Sequence, residues 1–369
     1  MNLKPLVSVI LSAILFGVST PLAKALLGGI SPVALAGLLY LGVFLGLTLF
    51  KWGLRATTVD RGQSPPGGTV PIEGRRGRSE EHREARLEKK DLPWLAGSIL
   101  AGGIIGPVCL MAGLSRISGF SASLLLNFEG LATAFIAVVL FRENAGRMTW
   151  LALVLMTAAG VLLSWNSGGG RFSPEGPALV VLAMIGWGLD NNLTRQISDK
   201  DPVQIARIKG LVAGMVSTAA AFLLGQGFRP GLPAAQGLLI GALCYGLSLV
   251  LFIGALRGLG AFRTGAFFSL GPFAGSLASL VLLKESVRWP TAAAGLLMVL
   301  AVTLILGEKH SHAHRHERTV HSHSHSHGDL HHLHPHEGPF REPHTHEHVH
   351  GAADHVHCHW PDTHHRHEH

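Results

Sequence analysis

Apolar residues gather in long runs along this chain, and nearly all of the charge lies between them. Ten runs stand out: Leu6 to Leu27, Pro32 to Trp52, Leu92 to Leu114, Phe120 to Leu140, Thr149 to Trp165, Gly176 to Thr194, Val203 to Leu224, Ala234 to Leu256, Phe262 to Leu283 and Thr291 to Leu306. Each comes near the ~20 residues a helix needs to cross a bilayer core. The pattern predicts an all-α membrane protein with ten transmembrane helices. It is also written twice. Sliding Gly113–Leu163 forward by 142 positions puts Leu114 on Leu256, Phe120 on Phe262, Glu143 on Glu285, Thr149 on Thr291, Leu155 on Leu297, Met156 on Met298 and Leu162 on Leu304, without a gap. Each copy reads apolar run, charged turn (Phe141-Arg142-Glu143, Leu283-Lys284-Glu285), apolar run. Chance likeness between Leu/Ala-rich helices is the plain alternative; the ungapped register and the shared acidic turn argue against it.

The earlier runs pair as well. Phe16-Gly17-Val18-Ser19 stands opposite Trp187-Gly188-Leu189-Asp190, Lys24 opposite Arg195, and Ser31-Pro32-Val33 opposite Asp201-Pro202-Val203. Five is an odd number of crossings, so the second unit enters the membrane from the other side, giving two inverted five-helix repeats. Residues 1–166 form the first unit, with a long Gly/Pro/Arg-rich loop over 53–91; residues 174–307 form the second, and 308–369 a tail. With the N-terminus inside, the inner loops collect Lys51, Arg55, Arg61, the arginines from Arg75 to Arg86, Lys89, Lys90, Arg142, Arg147, Arg195, Lys200, Arg257 and Arg263. The outer loops hold Arg116, Arg171, Arg229, Lys284 and Arg288. That excess places both termini in the cytoplasm. A cleavable signal at Leu6–Leu27, with Ala23-Lys24-Ala25 as its site, is disfavoured because the run is long and has a counterpart in the second half.

Composition agrees. Of 369 residues, 47% are hydrophobic and 14% charged, poor in charge for a soluble protein. Forty-six glycines suit close helix packing in lipid. The formal charge of +7 resides in loops and tail, which speaks of anionic lipid and orientation, not nucleic acid. Three cysteines, two of them in apolar runs, make no disulfide framework.

Ten spans as two five-helix units, Gly17 and Gly188 near the middle of each unit's first helix, and Glu143 and Glu285 after each fourth helix resemble the drug/metabolite transporter superfamily, in particular EamA-type proteins. The resemblance covers roughly Leu6 to Leu306. It implies an inner-membrane secondary transporter with a central cavity, lined by helices one to four of each unit with the fifth outside. The chain departs from the family at Glu129-Gly130, where many members have Pro, while Gly271-Pro272 keeps it. Helix two, often marked by Arg, carries Tyr40 in the first copy and Arg207 and Lys209 in the second.

Polar residues within apolar runs are the candidate pathway, because ionisable groups in hydrocarbon are costly. Glu129, next to Asn127, has no cation near it in sequence. It is either a proton carrier or charge partner for a cation, or a structural acid paired with Lys209 or Arg207. Asp190-Asn191-Asn192 cannot all face lipid, and Asp190 aligns with Ser19; a helix end reaching the interface is the other reading. Lys209 is placed either to snorkel or to reach Asp190. Gly271-Pro272 either frees carbonyls toward a substrate or marks a packing kink.

Absences narrow the chemistry. Of twenty-four histidines all but His82 lie beyond Leu306, and there is no HExxH, Gly-x-Ser-x-Gly or phosphate loop. An intramembrane hydrolase or ATP-driven pump is disfavoured, and no enzyme is expected. The tail alternates histidine: His310, His312, His314 and His316; His321, His323, His325 and His327; His344, His346, His348 and His350; then His355, His357, Cys358 and His359. His-x-His offers two imidazoles on one side of an extended chain, suited to zinc, nickel or cobalt. Such a tail is expected to lack fixed structure without metal, and a pH-responsive polybasic tail is the competing reading. No cofactor is required for transport. The expected partners are a small solute or ion, the lipid bilayer, a divalent metal and a second copy of the chain as a homodimer, and no nucleic acid. Three functions stay open: a transporter of a small, metabolite-like solute, a transition-metal transporter whose tail collects the ion, and a membrane-anchored metal buffer or sensor.

Overall fold

The computed structural model describes residues 3–60, 87–141, 147–167, 173–197, 200–252, 255, 267–307, 311–316, 319–325, 344–350 and 353–358. The helices are α1 (Leu3–Leu26), α2 (Pro32–Asp60), α3 (Lys89–Leu114), α4 (Gly119–Leu125), α5 (Phe128–Phe141), α6 (Arg147–Ser167), α7 (Glu175–Arg195), α8 (Pro202–Leu223), α9 (Leu232–Phe252), α10 (Gly271–Leu282) and α11 (Trp289–Gly307). Among the described residues, α1, α2, α3, α8 and α9 are long and apolar enough to cross a membrane. Shorter apolar helices lie at Trp150–Leu163, α10 and Trp289–Leu304. Large apolar side chains such as Leu49, Leu223, Trp289 and Leu296 point outward, as lipid-facing residues do. Glu143, Phe262 and the turn around each belong to 142–146 and 256–266, outside the described residues.

Two expectations about continuity change. The helix predicted over Phe120–Leu140 is broken. Asn127 sits buried in the gap between α4 and α5, its Nδ2 donating to the Leu124 carbonyl at 2.9 Å, and backbone bonds across the gap shorten to the three-residue kind. An amide that competes for a helix carbonyl is a physical reason for the interruption. The corresponding turn, 142 residues on, is Ser269–Leu270 before α10. α2 also runs past Trp52 to Asp60, so the inner loop begins later than its composition suggests.

The same interval of 142 separates two π-helical segments, Ile99–Ile105 within α3 and Gly241–Leu247 within α9. The paired starts Ser31-Pro32 and Asp201-Pro202 act alike. Ser31 Oγ accepts the Ala34 N–H at 3.3 Å, and Asp201 Oδ1 accepts those of Val203 and Gln204 at 2.9 and 3.2 Å. Each thereby caps a helix that opens with proline, whose missing N–H costs nothing there.

The mid-helix glycines mark crossings between the halves. A Cβ at Gly17 of α1 would strike the Gly271 carbonyl and come within 2.9 Å of the Gly275 nitrogen on α10. A Cβ at Gly188 of α7 would come within 2.8 Å of the Thr133 nitrogen on α5. Gly275 and Thr133 are themselves 142 positions apart, so each first helix crosses a segment beyond a helix break. Where lipid tails are as apolar as the side chains, such backbone contact supplies the association. α2 similarly lays Gly37, Gly42 and Gly46 against α8 and α9. α6 and α11 pair on one flank through Met156, Leu163, Met298 and Ala301.

The tail residues that are described pair as two short antiparallel ladders. Their backbone forms β1 (Ser311–His316) antiparallel to β4 (Ala353–Cys358), and β2 (Thr319–His325) antiparallel to β3 (His344–His350). Strict His-x-His alternation has the two-residue period of a strand, and its neighbours include Val, Thr and Ser.

Candidate functional site

Two carboxylates are carried into the bundle by α5 and α7. Asp190 stands two residues past Gly188, on the other side of α7, turned toward α3 and α8. It is buried, and Lys209 of α8 donates from Nζ to both carboxylate oxygens at 2.5 and 2.6 Å, while Thr194 Oγ1 adds a bond at 2.8 Å. A Cβ at Gly102 in the π segment of α3 would collide with the Asp190 carboxylate, so glycine is what lets the acid sit there. Of the two readings of Lys209, the structure has it reaching Asp190. This is a closed ion pair, both side chains mostly sequestered.

Glu129 is different. It stands in the first turn of α5, just past the break, where exposed backbone N–H groups favour a negative charge. Its Oε1 accepts from Asn191 Nδ2 at 3.1 Å, and the same amide donates to Thr133 Oγ1 at 3.1 Å. Neither lysine nor arginine pairs with it among the described residues. Lys209 is taken by Asp190, and Arg207 bonds Thr48 Oγ1 at 3.2 Å and lies over the Phe44 ring. Asn192 also meets α5, donating to the Gly188 and Thr133 carbonyls at 2.8 and 3.1 Å, so both amides tie α7 to α5.

Aromatic rings complete the setting, and sequence reading did not single them out. Phe16 of α1 sits 5.9 Å from Trp187, 5.8 Å from Tyr245 and 5.4 Å from Phe268; Tyr40 of α2 is 6.4 Å from Tyr245. The Tyr40 hydroxyl and Trp187 Nε1 both donate to the Gly102 carbonyl, at 2.7 and 2.9 Å. A π segment leaves carbonyls off the usual ladder, which is how one carbonyl serves two side chains. Tyr40 and Tyr245 are the chain's two tyrosines, and that scarcity was the available signal. Glu129 lies within electrostatic reach of both hydroxyls, and Asp190 of Tyr40. Phe16, Tyr40, Tyr245, Phe268 and Glu129 remain half-buried although their contacts turn into the bundle.

The remaining sequence candidates fall nearby or at packing positions. Ser19 is buried one turn from Phe16, bonds its carbonyl at 2.5 Å and faces Tyr245. Gly271 meets α1 backbone, and Pro272 takes the first turn of α10, with its carbonyl accepting from Ser276 Oγ at 2.9 Å. The acidic turn at Glu285 has a role the sequence did not disclose. Lys284 adopts φ 52° and turns the chain back, and Glu285 Oε1 and Oε2 accept the backbone N–H groups of Gly119 and Phe120 at 2.7 and 2.8 Å. A carboxylate of one half thus caps α4 of the other.

In the tail, backbone register sets His312 opposite His357 and His314 opposite His355, with Cys358 opposite Ser311. In the second ladder His321 stands opposite His348, His323 opposite His346 and His325 opposite His344. His316 and His350 face Ala353 and Thr319. His310, His327 and His359 lie outside the described residues.

Long apolar helices with outward apolar surface, enclosing a polar and aromatic centre, define a multi-pass membrane protein. The sequence profile of the EamA-like transporter family matches residues 3–165 and 175–307, and the chain belongs to that family. Family members are transporters of small solutes across membranes. An uncharacterized transporter of Methanothermobacter thermautotrophicus is 28% identical over 310 residues, covering 81% of this chain and 85% of its own. One crystal structure superposes with a TM-score of 0.50 at 17% identity, covering 80% of this chain and 96% of its own, a likeness of fold alone.

Proposed function

We propose that the protein is a secondary transporter of the cytoplasmic membrane, moving a small metabolite-like solute by alternating access around the crevice between Glu129, Asn191 and the Asp190–Lys209 pair. In this reading ten helices form two inverted five-helix repeats, both termini are cytoplasmic, and the helix-four breaks are the elements that shift. The observation that carries it is Glu129: an acid at a helix break inside the bundle, bonded to an amide and paired with no cation among the described residues. A group kept at that cost is a pathway candidate. The 142-residue interval between the π segments, and between the segments that Gly17 and Gly188 cross, supports the repeat.

The tail binds a transition metal, zinc, nickel or cobalt, and regulates transport. Its alternation and the His-opposite-His register support this. Metal as cargo is the second reading. Against it, no three His, Cys, Asp or Glu side chains converge among the described residues of the bundle.

Cysteine labelling in vesicles from each side tests transport. Ser19→Cys and Asn191→Cys are expected to react from either side as the protein cycles. A centre closed to both sides, or termini on opposite sides, overturns the proposal. Deleting residues 309–369 is expected to abolish metal binding and leave solute flux; loss of metal extrusion in Glu129→Gln alone would instead favour metal cargo.

A further inference from the structure

We infer that the solute is an organic ammonium ion: a cationic nitrogen borne on an apolar body, its charge met by Glu129 and its body held against Phe16, Tyr40, Tyr245 and Phe268. The inference rests on the transporter reading above.

Charge comes first. The two acids at the centre are not equivalent, because Asp190 is neutralised by Lys209 through both oxygens while Glu129 meets an amide and, further off, Asp190. Two carboxylates and one lysine leave a negative charge unmatched among the described residues there. A carboxylate or phosphate solute would find no uncommitted cation there among the described residues. Lys209 is engaged by Asp190, and Arg207 by Thr48 and Phe44.

The rings narrow the cation. Tyr40 spends its hydroxyl proton on the Gly102 carbonyl, beside the buried Trp187, so what it offers a guest is chiefly its ring. Ring faces carry partial negative charge and attract weakly hydrated cations such as alkylammonium ions. A bare divalent metal asks instead for four or more oxygen, nitrogen or sulfur ligands at close range, which ring faces do not supply. The rings also cover an apolar body, for which a small inorganic cation has no use. Ring centroids 5.4–6.4 Å apart on different segments of the chain let the set part and close with the segments that carry it.

The test uses purified full-length protein and equilibrium dialysis with phenyltrimethylammonium, its neutral isostere tert-butylbenzene, and benzoate. Phenyltrimethylammonium is expected to bind at least about tenfold tighter than either comparator. Glu129→Gln should erase that preference, and Glu129→Asp should restore part of it. Tyr245→Leu should weaken binding severalfold while Tyr245→Phe retains it, since the ring and not the hydroxyl holds the guest. Equal binding of ammonium and isostere, tighter binding of benzoate, or full ammonium binding by folded Glu129→Gln overturns the inference. Labelling of Ser19→Cys from each side, with the same protein in closed vesicles, separates the two levels. A reactive thiol with no ammonium preference defeats the substrate class and leaves the transporter standing, whereas a thiol sealed from both sides defeats both.

Discussion

Asp190 and Glu129 sit on neighbouring helices within electrostatic reach of each other, yet the bundle treats them in opposite ways. Around Asp190 everything is closed: a lysine on both oxygens, a threonine hydroxyl on one, and a glycine that makes room. Around Glu129 the partner is one amide, and accessible surface remains. The same residue chemistry thus serves two purposes. A buried acid matched by a lysine joins α7 to α8 and specifies their register. A half-buried acid left without a cation is, on the function proposed above, available to something that comes and goes.

The largest effect should come from opening the closed side. Lys209→Met leaves Asp190 charged and uncompensated and should cost ~3–5 kcal/mol, read as a fall in the thermal midpoint of detergent-solubilised protein. Adding Asp190→Asn should recover most of it; a stable Lys209→Met would mean the two acids are alike after all. Glu285 offers a third environment, a carboxylate spent on two backbone N–H groups. Glu285→Ala should cost about 1.5–3 kcal/mol by the same measurement, because Gly119 and Phe120 lose charge-assisted bonds. Gly102→Ala presses on Asp190 without touching Glu129 and should cost roughly 1–3 kcal/mol as overpacking. Glu129→Gln keeps the shape and the amide partner, so stability should change by less than about 1 kcal/mol while solute movement is lost. If instead it destabilises as strongly as Lys209→Met, Glu129 is structural.

The mildest test concerns pH outside the membrane. Glu88 bonds Lys200 at 3.0 Å and pairs with Lys90 at 3.0 Å, and those cations hold its carboxyl below the ordinary value of 4.5. A carboxyl depressed in the folded state contributes above its unfolded pKa and loses that contribution as pH falls through the folded one. The tie between the end of the inner loop and Lys200 should therefore be constant from neutral pH to 4.5 and weaken only below it. Amide exchange at residues 87–91 would register this, with a small change expected because the glutamate is exposed.

Much of the frame was legible from residue order. Membrane character follows from apolar runs, and the family from the repeated pattern, because lipid obliges each crossing to satisfy its backbone locally. Asp190, Glu129 and Lys209 were visible as charges where charge is expensive. Which acid took the lysine was not, since Asp190 and Glu129 lie 61 positions apart in the chain and only helix packing measures both against Lys209. The break at Asn127 was hidden inside an unbroken apolar run, because one side-chain amide competing with the ladder leaves hydropathy nearly unchanged. The π segments and the shared Gly102 carbonyl were hidden for the same reason: they are events of backbone geometry.

Sequence alone, then, determined the membrane-length apolar runs, the matches at an interval of 142 and the histidine-rich composition of residues 308–369, because composition and period are local properties. The tertiary structure decided which groups cancel and which are left over. It showed Gly17 and Gly188 as crossings, Glu285 as a cap for the other half, and the two tyrosines as one aromatic set. Those are relations between residues far apart in the chain, and the energies that select them, steric contact and hydrogen bonding at about 3 Å, exist only once the helices are side by side.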